Sequence, residues 1–166
     1  MLNLCLRPPG RRISLSLPGA SAMALVEKSA LVPFSDQMMF DLVKDVERYQ
    51  DFLPWCGGSE LLSHEGNRLC GRIVVERMGV QQSFSTCNVC DEPRRMEISL
   101  QEGPFESLHG AWEFVALRED ACKVVLTLEF EFSNKLMEMA FGKVFHHIAN
   151  TMVESFGKRA REVYGA

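Results

Sequence analysis

The sequence predicts an α+β fold in which a curved antiparallel sheet wraps one long C-terminal helix, and three observations predict it. Between Ser59 and Phe132, turn signals recur at short intervals and leave strand-length runs between them. Within that region the run ACKVVLTLEFEF alternates, with Cys122, Val124, Leu126, Leu128, Phe130 and Phe132 on one face and Lys123, Thr127, Glu129 and Glu131 on the other. From Asn134 to Tyr164 apolar residues return at helical spacing over about 30 positions, roughly 45 Å of helix at 1.5 Å per residue. That is longer than a core of this size requires, and it suits a helix covered along its length by a curved sheet.

Taken in order, ALVEKSALV (Ala24 to Val32) reads as a strand of mixed exposure closed by Pro33, which cannot donate to a ladder. Ser35 is a good N-cap, Asp36 sits favourably on a first turn, and Met39, Leu42, Val43 and Val46 share a stripe, so a helix is expected through SDQMMFDLVKDVERY. The following segment QDFLPWCGG reads as an unusually apolar loop, with Phe52, Leu53 and Trp55 around Pro54 and a release into Gly57 and Gly58. Turns are expected at Gly66-Asn67, Gly79, Asp91-Glu92-Pro93, Gly103-Pro104 and Glu119-Asp120, giving an antiparallel meander. The closing helix is capped by Asn134, and its apolar stripe is Leu136, Met137, Phe141, Val144, Phe145, Ile148, Met152, Phe156, Ala160 and Val163.

A chain of 166 residues with 46% hydrophobic and 24% charged residues has the make-up of one globular domain and excludes a disordered, collagen-like or coiled-coil chain. The formal charge of −4 hides an asymmetry. Residues 1–22 hold Arg7, Arg11 and Arg12 and no acid, so the remainder keeps 15 of the 18 basic residues against all 22 acids, a charge of −7. Such a body disfavours a protein that lives by phosphate contacts. The leader is broken by Pro8, Pro9, Gly10, Pro18 and Gly19 and has no apolar core of a secretory signal. It is expected to be a disordered extension outside the fold, either translated sequence upstream of a start at Met23 or an organellar presequence, which leaves 23–166 as the domain.

Six cysteines without an export signal are expected as reduced thiols in a cytoplasmic, soluble protein. No run approaches the 18 or so apolar residues of a membrane span. Cys87-Asn-Val-Cys90 has redox-pair spacing, but in a strand residues three apart point to opposite faces, and neither it nor His146-His147 comes with the further ligands a metal site needs. His64 and His109 read as surface or satisfied histidines. No G-x-S-x-G, Cys-His arrangement or glycine-rich phosphate loop is present, so the chain is read as non-catalytic, with no cofactor. What exceeds structural need is bulky apolar matter: Phe52, Leu53 and Trp55, Phe105 after Gly103-Pro104, Trp112, and totals of nine Met and 11 Phe. Two explanations stand, a filled core under the helix, or a cavity between sheet and helix that holds a lipid-like molecule.

The stretches SALVPFS, YQDFLPWC, GPFESLHGAWEF, CKVVLTLEFEFSNKL, AFGKVFHHIANTMVESF and RAREVY, in that order between Lys28 and Tyr164, resemble the coenzyme Q-binding START-like family, within the polyketide cyclase/START-like superfamily. The resemblance implies the helix-grip (START / Bet v 1-like) fold, and it implies two activities. One is non-catalytic binding of ubiquinone or a related lipid under the C-terminal helix, in support of respiratory electron transport or quinone biosynthesis. Its partners would be the enzymes of those processes, and it would make transient contact with the inner-membrane surface. The other is that of the family's bacterial branch of ribosome association toxins, which bind the 50S subunit and block subunit association. The compact spacing of the stretches is similar to that branch, whereas the charge of −7 favours the lipid reading. On that reading Phe52, Leu53, Pro54 and Trp55 form the cavity mouth, and Phe105, Leu108, Trp112, Leu136, Met137, Phe141 and Phe145 line it.

Overall fold

The two ends of the sheet's sequence meet inside it: the first strand pairs with the last, and β1 and β2 form its two edges. A computed structural model of the chain describes residues 23–165, so the basic leader, Cys5 and the expectations placed on residues 1–22 lie outside the described residues. The elements are β1 (Ala24–Val32), α1 (Asp36–Lys44), a short 3₁₀ turn (Val46–Arg48), α2 (Tyr49–Phe52), β2 (Cys56–Glu65), β3 (Arg68–Arg77), β4 (Val80–Asp91), β5 (Arg95–Glu102), β6 (Phe105–Arg118), β7 (Ala121–Phe132) and α3 (Lys135–Tyr164). The seven strands run β1-β7-β6-β5-β4-β3-β2, every neighbour antiparallel. This is the helix-grip architecture.

Curvature comes from irregular register. Bulges interrupt the β2/β3, β4/β5 and β6/β7 ladders, and an extra residue on one strand bends it and increases its twist. Between β6 and β7 the backbones approach closely at Gly110, where a Cβ would stand 2.0 Å from the carbonyl oxygen of Thr127. Only glycine fits there. The β3–β4 hairpin turns at Met78 and Gly79, both with positive φ (51° and 79°), the geometry of a two-residue turn that matches strand twist.

The concave face carries the core. In β7 the even-numbered residues from Cys122 to Phe132 are buried, as alternation demands. Helix α3 starts where the Asn134 side chain accepts a bond from the Met137 amide at 2.8 Å, and it buries Phe141, Phe145, Ile148, Ala149, Val153, Phe156 and Ala160 against the sheet. Phe105 sits among Phe84, Phe130, Phe132, Phe141 and Phe145, with ring centroids 4.8 to 6.4 Å away, the spacing of favourable edge and stacked pairs.

Four expectations are corrected. The helix capped by Ser35, whose hydroxyl accepts from the Met38 amide, ends at Lys44 instead of running to Tyr49, because the backbone leaves helical geometry at Asp45 (ψ 69°). The chain resumes as a 3₁₀ turn and α2, and the Tyr49 hydroxyl donates to the carbonyl of Val43, one of the acceptors that the broken helix leaves unpaired. Gly57 and Gly58 are not loop residues but lie in β2, at a bulge beside Val75 and Val74. Leu136 and Val163 are exposed, so the buried stripe of α3 is shorter than expected at both ends. Finally, Cys70 and Cys87 are joined by a disulfide across β3 and β4, where reduced thiols were expected.

Candidate functional site

Apolar side chains do not fill the whole space between the concave face and α3. A cavity of about 80 Å³ remains, room for a handful of waters at on the order of 10–15 Å³ each. Its floor is the inward register of the central strands: Leu69, Gly71 and Ile73 from β3, Phe84, Thr86 and Asn88 from β4, Ile98 from β5, Leu108 and Trp112 from β6, and Leu126 and Leu128 from β7. One wall is Val43, Val46 and Tyr49, which the break at Asp45 turns inward. The other is Phe145, Ile148, Ala149 and Met152, successive turns of one α3 face, and Trp55 adds to the lining from the loop between α2 and β2.

Trp55, Leu108, Trp112 and Phe145, of the residues expected to form the site, stand on this cavity. Phe105 and Phe141 are buried in the aromatic cluster beside it and do not line it. Phe52 packs edge-on against Phe156 at 5.2 Å, with the Arg159 guanidinium 5.1 Å over its ring, so it seals α2 to the C-terminal half of α3. Leu53 is buried in the core, Pro54 faces solvent, and Met137 is half-buried against the core. Leu136 is 77% exposed and is no lining residue. At 100° per residue it points about 180° from Phe145, the opposite side of α3.

Two lining residues each bury a polar atom without a hydrogen-bond partner among the described residues, the Trp55 indole Nε1 and the Asn88 side-chain oxygen Oδ1, and neither atom is open to the free space. Trp55 is held rigidly: it is 2% exposed, and its carbonyl accepts from the Glu76 amide at 2.8 Å. Asn88 donates through Nδ2 to the Met96 sulfur at 3.5 Å. Tyr49 is pushed well above its ordinary pKa, first by burial and then by the negative charge of Asp45, so its hydroxyl stays neutral. Sequence reasoning missed Asn88 by treating 87–90 as a cysteine spacing. The available signal was an Asn in the same inward register as Phe84 and Thr86, since Asn is depleted in strands.

Among the described residues no group of three or more His, Cys, Asp or Glu could hold a metal ion. Cys87 and Cys90 do lie on opposite faces of β4: Thr86 and Asn88 face the cavity, so Cys87 turns away with Cys70, while Cys90 shares the inward register of Asn88. No helix among the described residues is long and apolar enough to cross a membrane.

Residues 32–157 match the family described as polyketide cyclase / dehydrase and lipid transport. The chain is 46% identical over 143 residues to the ribosome association toxin RatA of Vibrio cholerae serotype O1, covering 86% of this chain and 99% of that protein. It is 28% identical over 142 residues to the mitochondrial coenzyme Q-binding protein COQ10 homolog B of Xenopus laevis, covering 83% of this chain and 58% of that protein. Its fold superposes on the ZhuI aromatase/cyclase of Streptomyces sp. R1128 with a TM-score of 0.71 at 18% identity, covering 86% of this chain and 96% of that one.

Proposed function

Given that the chain belongs to the polyketide cyclase / dehydrase and lipid transport family, we propose that it acts as a ribosome-associating protein of the RatA kind, without catalysing a reaction. It binds the 50S subunit in the cytoplasm and keeps the subunits from joining, so that initiation is blocked. The observation that carries this reading is the 46% identity to the Vibrio cholerae toxin along 99% of that protein's length. The charge distribution supports contact with a ribosomal protein over contact with bare RNA. Of the basic pairs and clusters on the surface, Arg94 lies 3.5 Å from Asp91, Arg95 lies 2.6 Å from Glu113, and Arg159 lies 3.6 Å from Glu162, so much of the positive charge is locally neutralised. Sucrose-gradient profiles after overexpression test the reading. A diminished 70S peak with the protein in the 50S fraction is expected; a normal 70S peak with no protein in the 50S fraction overturns it.

The cavity favours a second reading beside the first, that the same domain holds an apolar ligand. Its wall is mostly apolar and aromatic, with Tyr49, Thr86 and Asn88 as its polar side chains. About 80 Å³ houses neither a polyisoprenoid tail nor, beside the roughly 150 Å³ of a benzene-binding cavity, a substituted quinone ring, so ubiquinone would have to widen the cavity to enter. A ligand of that kind would serve respiratory or quinone-biosynthesis enzymes and bring the protein transiently to the membrane surface. Organic extraction of purified protein followed by mass spectrometry tests this reading. Failure to recover any quinone or other lipid, together with unchanged tryptophan fluorescence on adding quinone, overturns it.

A further inference from the structure

Helix α3 differs in charge from the rest of the molecule. It holds five basic against three acidic residues, a charge of +2, whereas residues 23–134 hold ten against 19, a charge of −9. Leu136, Met139, Lys143, His147, Lys158 and Arg161 are all exposed, and at 100° per residue they fall within one arc of about 100°, a solvent stripe roughly 38 Å long. Lys143, Lys158 and Arg161 make no ion pair among the described residues, whereas Arg159 lies 3.6 Å from Glu162. At its N-terminal end the stripe turns apolar. Leu136 is 77% and Met139 75% exposed, neighbours on one helix face that contribute nothing to the core.

We infer that this stripe is the surface through which the protein meets the large ribosomal subunit, and that it takes an acidic segment of a subunit protein with apolar side chains at one end. The inference rests on the first reading above, association with the 50S subunit, and adds where the contact lies and by what chemistry it forms. Three unpaired cations attract a carboxylate-rich partner, and two exposed apolar side chains leave water when such a partner covers them. Bare RNA suits the stripe less well. Its cations from Lys143 to Arg161 are strewn over roughly 27 Å with Glu154 among them, and no Phe, Tyr or Trp stands there to stack on a base. A phosphate backbone also offers Leu136 and Met139 nothing apolar. The −9 body sets the orientation, since it turns away from an acidic partner while α3 turns toward it.

Co-sedimentation of the full chain with purified 50S subunits tests this. Lys143→Glu/Lys158→Glu and Leu136→Ser/Met139→Ser alter only exposed side chains, and each is expected to lower the affinity for 50S about ten-fold. Lys28→Glu/Lys123→Glu, exposed on β1 and β7, changes the net charge as much as the first pair and is expected to bind as the wild type does. A benzophenone side chain in place of Met139, in an otherwise unaltered chain, is expected to cross-link to an acidic stretch of a large-subunit protein. Wild-type affinity in either α3 variant, an equal loss in the Lys28/Lys123 control, or cross-linking to RNA in place of an acidic protein stretch overturns the docking surface and leaves ribosome association intact. If the wild type does not co-sediment with 50S, ribosome association and the docking surface fail together.

Discussion

Cys70 and Cys87 form a disulfide directly across β3 and β4, back to back with Leu69, Gly71, Thr86 and Asn88 on the cavity face of the same two strands. The cross-link holds the register of the hairpin that supplies much of the cavity floor. Both cysteines stand eight residues from the turn, one before Met78 and the other after Gly79, which is why they meet.

Among the described residues, alkylation of the unfolded, unreduced protein is therefore expected to label Cys56, Cys90 and Cys122 and to spare Cys70 and Cys87. The double variant Cys70→Ala/Cys87→Ala should lose about 3 kcal/mol, the worth of closing a loop of this length. Labelling of Cys70 and Cys87 in the unreduced chain would show that the cross-link does not form.

Met78 holds a left-handed backbone (φ 51°) with its side chain 87% exposed. Asn tolerates that conformation better than Met, and nothing is lost from the core. Met78→Asn is expected to stabilise the protein by about 0.5–1 kcal/mol in urea melts, and a destabilised variant would refute the turn geometry.

Two positions nine residues apart on α3 should behave oppositely. Leu136→Ser, on the exposed side, is expected to change stability by less than about 0.5 kcal/mol. Phe145→Ala, buried among Phe105, Phe130 and Phe141, should cost about 3–5 kcal/mol. Comparable losses at both positions would mean that the helix face is wrongly assigned.

Gly110→Ala is expected to destabilise by about 3 kcal/mol, since the new methyl meets the Thr127 carbonyl and the Leu128 backbone, which cannot give way without opening the β6/β7 ladder. Circular dichroism melts measure this, and an unchanged midpoint would contradict the close approach.

Burial raises the Cys122 thiol from its ordinary 9.0 to about 11, with the nearby Asp36 adding to the shift. The folded state thus favours the neutral thiol. That contribution is complete below pH 9 and is lost as pH rises toward 11. The melting temperature should fall across this window, and fall less steeply in Cys122→Ala. The slope should not vanish in the variant, because burial also raises Tyr49. Identical slopes in the two proteins would rule out Cys122 as a source.

Much of the fold was legible because it is written in local periodicity. The bounds of β1, the inward face of β7, the five hairpin turns and the Asn134 cap of α3 each follow from a few neighbouring residues. The break at Asp45 was not legible, since the apolar stripe from Met39 to Val46 continues through it and the compensating bond from Tyr49 to Val43 forms only after the chain has turned. The site was legible as a class of residue more than as a list. Bulky apolar side chains under a helix pointed to sheet–helix packing, but which of them touch free space depends on neighbours that are distant in sequence.

By itself, then, the sequence determined the order of elements, the buried face of each and the helix gripped by a curved antiparallel sheet, because strand and helix periods are properties of consecutive residues. Tertiary structure decided that Trp55, Leu108, Trp112 and Phe145 border the cavity while Phe105 and Phe141 pack solidly beside it, that Leu136 faces solvent, and that Cys70 meets Cys87. It also left Trp55 Nε1 and Asn88 Oδ1 without partners. The physical reason is that packing, cross-strand register and hydrogen-bond satisfaction depend on pairs that meet only when the sheet has curved around α3.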